Sequence, residues 1–234
     1  MGGRVEIVPD PIVMHATPYD PSRAGFYFHD PDDFAGKYKT HLPTEEYEIQ
    51  WIDGPEEDRE LFEALNVAQH NLDRYFELIG DLSDHDKAAL YYVLRYRGMG
   101  PKESLDDLVE MVDDEVRVHE GNAKSYVEEY IDDAGGVGQA FSKDVVVRNF
   151  DYERFGRDLA FDMDPADEGD AYYLSLSDKD RGEEYVDSMG GVAELGKLAE
   201  QYFDVDAVVR DMELGGEVTE FDFAGTTYTT DFTG

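Results

Sequence analysis

Residues able to do chemistry are abundant in this chain, but few are arranged to do any. Fifty-six Asp and Glu stand against 20 Lys and Arg. Acid–base catalysis needs two carboxylates set apart from the rest by their surroundings, and acids occur in nearly every segment, so no pair is singled out. The six histidines, at positions 15, 29, 41, 70, 85 and 119, are isolated and show no HExxH or other zinc spacing. They read as surface or satisfied core histidines. No GxSxG elbow, Walker loop or GxGxxG opening a helix is present. Gly135-Gly136-Val137-Gly138 follows a helical stretch, where helix termination is the simpler cause of the glycines. The run Asp162 to Asp170 invites a calcium reading, but its fifth position is Ala166, and Gly169 falls at position eight where an EF-hand loop needs glycine at six. It reads as a solvated acidic turn. The sequence points to no enzyme, no cofactor and no metal site.

What remains is the geometry of the charge. Asp106, Asp107, Glu110, Asp113 and Asp114 recur at one-turn spacing, as do Glu128, Glu129, Asp132 and Asp133. Like charges at i,i+3 and i,i+4 cost a few tenths of a kcal/mol per pair, so such rows imply that the outward charge is used. Duplex DNA carries one negative charge per ~1.7 Å of axis. A protein surface with similar spacing can occupy a DNA-binding groove in its place.

The formal net charge is −36 on 234 residues, and self-repulsion at that density opposes compaction. Direct nucleic-acid binding and binding to an anionic membrane both need a basic patch, and none is visible. Apolar residues make up 41% and aromatics 13%, enough to bury cores. Cysteine is absent, which removes disulfides and thiolate sites and fits a reducing interior. No apolar stretch of about 18 residues occurs, and a soluble, cytoplasmic protein is expected. A second explanation of the charge is salt adaptation: Asp outnumbers Glu 32 to 24, and Arg outnumbers Lys 12 to 8, the bias of a halophilic cytoplasm. In molar salt the Debye length falls to ~3 Å, so a mimic there would depend on shape and close contact.

The elements that must hold these rows can be placed by period. Val5 to Val8, Gly25 to Phe28 and Tyr47 to Ile52 read as short strands among Pro-rich turns, with a helix near Asp32 to Tyr38. Leu61, Leu65, Ala68, Leu72, Tyr75, Phe76 and Ile79 read as one helix ending at Gly80. Ser83 with Asp86 opens a second, stopping at Gly98, and Ser104 a third. Asn122 caps a fourth, stopped by Gly135-Gly136. Phe161 to Met163 and Tyr172 to Leu176 read as a hairpin. The resulting fold class is α+β: a β-rich domain over residues 1–54, a helical domain over 55–118 and an α+β domain over 119–178, with 179–234 as a diverged copy of the last.

That copy rests on order and spacing. Glu128-Glu129-Tyr130-Ile131-Asp132 through Gly135-Gly136-Val137 matches Glu183-Glu184-Tyr185-Val186-Asp187 through Gly190-Gly191-Val192. Phe150-Asp151 through Arg157-Asp158-Leu159 matches Phe203-Asp204 through Arg210-Asp211-Met212. An internal duplication is expected.

The stretch Ser125 to Asp133, followed by Asn149-Phe150-Asp151-Tyr152-Glu153-Arg154-Phe155-Gly156-Arg157-Asp158-Leu159, resembles the C-terminal signature of the ArdA antirestriction proteins. Glu45 to Gly54 resembles the segment ending that family's N-terminal domain. The resemblance covers about residues 20 to 165. It implies an elongated chain of small domains that mimics bent B-form DNA and blocks type I restriction-modification enzymes at the DNA site of their specificity and methyltransferase core. It further implies that Phe150 to Leu159 form the antirestriction motif, at or near a dimer contact. The additional copy departs from the family. Either it packs on the first as a pseudo-dimer within a monomeric chain, or the homodimer persists and the mimic is longer. Two readings from other classes stand beside this one: an acidic module sequestering a basic protein (nucleoid, histone-like or another defence complex), and a halophilic protein whose charge is only adaptation. Tyr126, Tyr130, Phe150, Tyr152 and Phe155 are expected to pack, and Arg154 and Arg157 to pair with nearby carboxylates.

Overall fold

Residues 11–41, 46–99 and 105–232 are described by the computed structural model. The chain is mixed α+β, 58% helical with two small three-stranded antiparallel sheets. Its contacts gather it into two units, Met1–Glu120 with Glu220–Gly234, and Gly121–Thr219. No helix among the described residues is long and apolar enough to cross a membrane.

Alternation builds the first sheet. Strand β1 (Val13–Pro18) buries Met14 and Ala16 and lies between β2 (Phe26–Phe28) and β3 (Tyr47–Asp53). The register sets Ala16 opposite both Phe26 and Ile49, which puts the aromatic and aliphatic side chains on one face. Helix α1 (Pro31–Thr40) covers that face with Phe34. It starts where the Asp30 carboxylate accepts the Asp33 amide and proline takes the first turn.

The single helix expected from Leu61 to Ile79 is two, α2 (Glu56–Ala64) and α3 (Leu72–Asp81). Asn66 adopts a left-handed φ of 49°, and the Asn71 carboxamide accepts the Ala68 amide at 2.7 Å. Asparagine side chains compete in this way for backbone groups a helix would use. The apolar period survives the break because Leu61, Leu72 and Tyr75 fill one core. Helix α4 (Asp84–Arg95) opens on the expected capping box of Ser83 with Asp86 and buries Ala89, Leu90 and Val93. Helix α5 (Leu105–Glu115) follows; its expected cap, Ser104, lies outside the described residues, as do the Val5 to Val8 strand and Glu45.

The second sheet joins distant segments: β4 (Val118–Glu120), β5 (Thr219–Phe223) and β6 (Thr226–Thr230), in the order β4-β6-β5. Ala224 and Gly225 both take positive φ, the signature of a two-residue primed hairpin turn. Phe221, Phe223 and Tyr228 then enter the same core as Leu90, Tyr92 and Val93. This core runs from β1 to β6, across the domain boundary expected at residue 54.

The second unit is helical. Helix α6 (Ala123–Ala134) is capped by Asn122, which accepts the Ser125 amide, and ends on Gly135 and Gly136 at φ 87° and 121°. Helices α7 (Val137–Ala140), α8 (Lys143–Arg148) and α9 (Tyr152–Asp162) follow, the last capped by Asp151. Helices α10 (Glu168–Leu174), α11 (Asp178–Ser188), α12 (Lys197–Gln201) and α13 (Val205–Gly215) complete it, with a 3₁₀ turn at Val192–Leu195. The hairpin expected from Phe161 to Leu176 is absent: Phe161 ends α9, and Tyr172 and Tyr173 sit in α10. Asp167 accepts the Gly169 and Asp170 amides, so acids expected to solvate a turn cap a helix instead. Among the described residues 121–218 there is no strand, and the isolated bridge between Phe150 and Phe203 stands where α+β character was expected.

Candidate partner-binding surface

The acids of α5 and α6 sit where helical geometry puts them. Asp106, Asp107, Glu110, Asp113 and Asp114 are all exposed, while Leu108 and Val112 face the core. At 100° per residue the five fall within an arc of about 120°, and at ~1.5 Å per residue they cover about 12 Å of axis. That is one carboxylate per ~2.4 Å, against one phosphate per ~1.7 Å in DNA. Of these five, Asp106 makes an ion pair among the described residues, with Arg74, which also holds Glu77 at 3.1 Å. On α6, Glu128, Glu129, Asp132 and Asp133 are exposed opposite buried Val127. They occupy about 8 Å of that helix. The two rows belong to different units, one to each.

The segment Phe150 to Leu159 plays another part. Phe150, Phe155 and Gly156 are buried, and Tyr152 and Leu159 half-buried. Phe150 packs on Tyr152, Phe155 and Tyr202 with ring centroids 4.9–6.0 Å apart. Asp151 caps α9, and Asp158 accepts a hydrogen bond from the Tyr202 hydroxyl at 3.0 Å. Burial, and then that carboxylate, push the Tyr202 phenol above its usual range. Exposed Glu153 pairs with Arg157 at 3.3 Å, and Arg157 also reaches Asp178 at 3.6 Å. Arg154 departs from expectation: it lies over the Tyr202 ring, 5.3 Å from the centroid, and donates to the Gln201 carbonyl.

What this segment packs against is the stretch whose sequence matches it. The Asp151 amide donates to the Tyr202 carbonyl at 2.7 Å, and the Asp204 amide donates to the Asn149 carbonyl at 2.8 Å. Each donor is the matching residue of the other, so the exchange is reciprocal across the Phe150–Phe203 bridge. The helices follow suit, α9 lying on α11 and α13 on α6. Lys124 of α6 pairs with Asp206 of α13 at 2.8 Å, and that carboxylate holds the ammonium more basic than usual. Where α9 crosses α11, Gly156 and Gly182 bring the backbones together: a Cβ on Gly182 would lie 2.1 Å from the Tyr152 carbonyl oxygen. At the matching positions of the other crossing stand Val209 and Val127.

Two polar centres escaped the sequence reading. Arg181, 5% exposed, donates to the Gly156, Tyr173 and Leu176 carbonyls and to Asp178, tying α9, α10 and α11 together. Its only sequence signal was an Arg-Gly pair inside an amphipathic helix. Asp58 and Lys87 form a buried ion pair at 2.7 Å. Burial holds the Asp58 carboxyl above the usual range, with Lys87 pulling it back. Among the described residues no group of three or more His, Asp or Glu is placed to hold a metal ion.

No family model matches the chain, and no curated protein or solved structure matches it.

Proposed function

We propose that this protein is a DNA mimic of the antirestriction kind, an inhibitor that occupies the DNA site of a type I restriction-modification enzyme at its specificity and methyltransferase core. The observation that carries the proposal is the acid row on α5, five exposed carboxylates on one face with, among the described residues, one ion pair to a cation, Arg74. Such a face competes for the Lys and Arg that a DNA-binding groove offers to phosphates. The α6 row supports the same reading. The resemblance of Ser125 to Leu159 to the ArdA signature names the target class.

The reciprocal Asp151–Tyr202 and Asp204–Asn149 bonds support the internal duplication read from sequence. In this reading the second copy takes the place of a dimer partner, and the chain acts as a monomer; light scattering should return the chain mass of 26.5 kDa, and a mass of twice that would reject the pseudo-dimer.

The test is a cleavage assay in which a type I enzyme acts on DNA while this protein is titrated at two salt concentrations. Near-stoichiometric inhibition relieved by excess DNA is the expected result. Absence of inhibition where both proteins are folded refutes the assignment and favours another basic target.

A further inference from the structure

Unit two contains an apolar pocket of about 370 Å³ that the mimic reading does not use. Its wall is built by Val137, Phe141, Val146, Val192 and Ala199, contributed by α7, α8, the 3₁₀ turn and α12. The volume falls at the small end of ligand pockets, which run from ~300 to 1,000 Å³ and combine apolar walls with a few polar groups. The polar groups here are unusual for this chain. Residues 121–219 contain four lysines. Lys124 and Lys179 pair with carboxylates. Lys143 and Lys197 make no ion pair among the described residues, and both stand in the pocket wall. Glu200 is the one carboxylate of that wall, and Gln139 adds an amide. Lys197 also borders a neighbouring groove with Glu128 and Asp132. On a chain of net charge −36, two unpaired ammonium groups around an apolar hollow make a local minimum of repulsion for an anion.

We propose that this pocket binds a small amphipathic anion, its apolar body against Val137, Phe141 and Val192 and its carboxylate toward Lys143 and Lys197. Anions are repelled by the rest of the surface, but at 0.15 M ionic strength that repulsion is screened beyond ~8 Å, which leaves the pocket wall itself, two lysines against the carboxylate of Glu200, to set the local balance. The inference stands apart from the antirestriction reading and survives its failure.

The probe is octanoate, titrated into the full-length chain and followed by amide chemical shifts in NMR, with octanol and octylamine as neutral and cationic controls. Saturable shifts at Val137, Phe141 and Val192, with a dissociation constant on the order of 1 mM or tighter, are expected. Octylamine should bind at least tenfold more weakly. The double variant K143Q/K197Q should lose tenfold in octanoate affinity while its octanol affinity stays constant. Gly138 is an exposed glycine of the pocket wall, with no atom within 4 Å of an added Cβ and no positive φ, so Gly138→Leu should weaken octanoate binding in a folded protein. Equal binding of octylamine or octanol, unchanged affinity in K143Q/K197Q, or no saturable shift at millimolar octanoate each overturns the proposal; the last would return the hollow to a protein partner's side chain or to no ligand.

Discussion

In Gly156→Ala the added Cβ would lie 1.8 Å from the Asp178 carbonyl oxygen and 2.7 Å from the Gly182 amide nitrogen. Real Cβ contacts keep 3.0 Å or more, so α9 and α11 must separate by at least 1.2 Å. Both obstructing atoms are backbone, and no rotamer change relieves them. Separation stretches the Arg181 bond to the Gly156 carbonyl, now 2.9 Å, and loosens Phe155 and Val186 in the core. Overpacking costs about 1–3 kcal/mol, and weakening a hydrogen bond from a charged donor up to about 1.5–3. Helix propensity returns about 1 kcal/mol to alanine. The net is a loss of about 2–4 kcal/mol, against a gain of up to ~1 in Gly138→Ala, whose Cβ meets nothing within 4 Å. One substitution thus has opposite signs at two helical glycines of one unit. Urea unfolding read by far-UV circular dichroism gives both numbers. The single tryptophan, Trp51, lies in the first unit, so its fluorescence follows the unfolding of that unit alongside the helical signal. Gly182→Ala should cost a similar amount, and the double variant less than the sum, since both side chains open one crossing. A Gly156→Ala protein as stable as the parent, or more so, refutes the close approach.

Three further outcomes are expected. Lys87→Met leaves the Asp58 carboxylate buried without its cation and should cost about 3–5 kcal/mol at pH 7. Because folding raises the Asp58 pKa above its unfolded value of 3.8, this loss should shrink as pH falls through the raised value toward 3.8; a deficit independent of pH between 7 and 4, read by Trp51 fluorescence, rejects the buried carboxylate as its cause. Raising NaCl from 0.1 to 1 M shortens the Debye length from ~10 to ~3 Å and should raise the melting temperature by several degrees; a flat or falling trend would show that self-repulsion does not limit stability. Neutralising the α5 row in D106N/D107N/E110Q/D113N/D114N should leave the fold intact and weaken inhibition about tenfold or more with a shallower salt dependence; undiminished inhibition removes α5 from the contact surface.

Legibility in the sequence followed the range of the forces involved. The capping box at Ser83, the Asn122 cap and the Gly135-Gly136 stop are settled within four residues of backbone, and they lie where spacing put them. The exposure of the α5 and α6 acids was readable for the same reason, since period alone assigns their face. The break between α2 and α3 was hidden because the apolar residues on both sides serve one core, so the period continues through a loop. Asp167 misled because an acid before a glycine fits a turn and a helix cap equally well. Pairing of Val118 with Thr230 and of Asp58 with Lys87 joins residues that no local pattern connects.

The Phe150 to Leu159 segment shows what a sequence motif can and cannot say. Its most distinctive residues, Phe150, Phe155 and Gly156, are buried against the matching stretch, and Asp151 and Asp158 are taken up by a cap and a tyrosine hydroxyl. Glu153, Arg154 and Arg157 are its exposed residues; Glu153 and Arg157 are paired with each other, and Arg154 lies over the Tyr202 ring. Little of the motif is left to meet a partner. If the chain inhibits a DNA-binding enzyme, the contacts must come from the exposed acids outside it, and the motif acts by holding two matching halves together. Substitutions that disturb the motif should therefore lower stability and inhibition in parallel. Substitutions in the acid rows should lower inhibition while stability holds or rises, because each removes a like-charge neighbour worth a few tenths of a kcal/mol. A variant set that fails to separate in this way, with motif and acid-row changes both silent in stability, would place the motif at the partner contact after all.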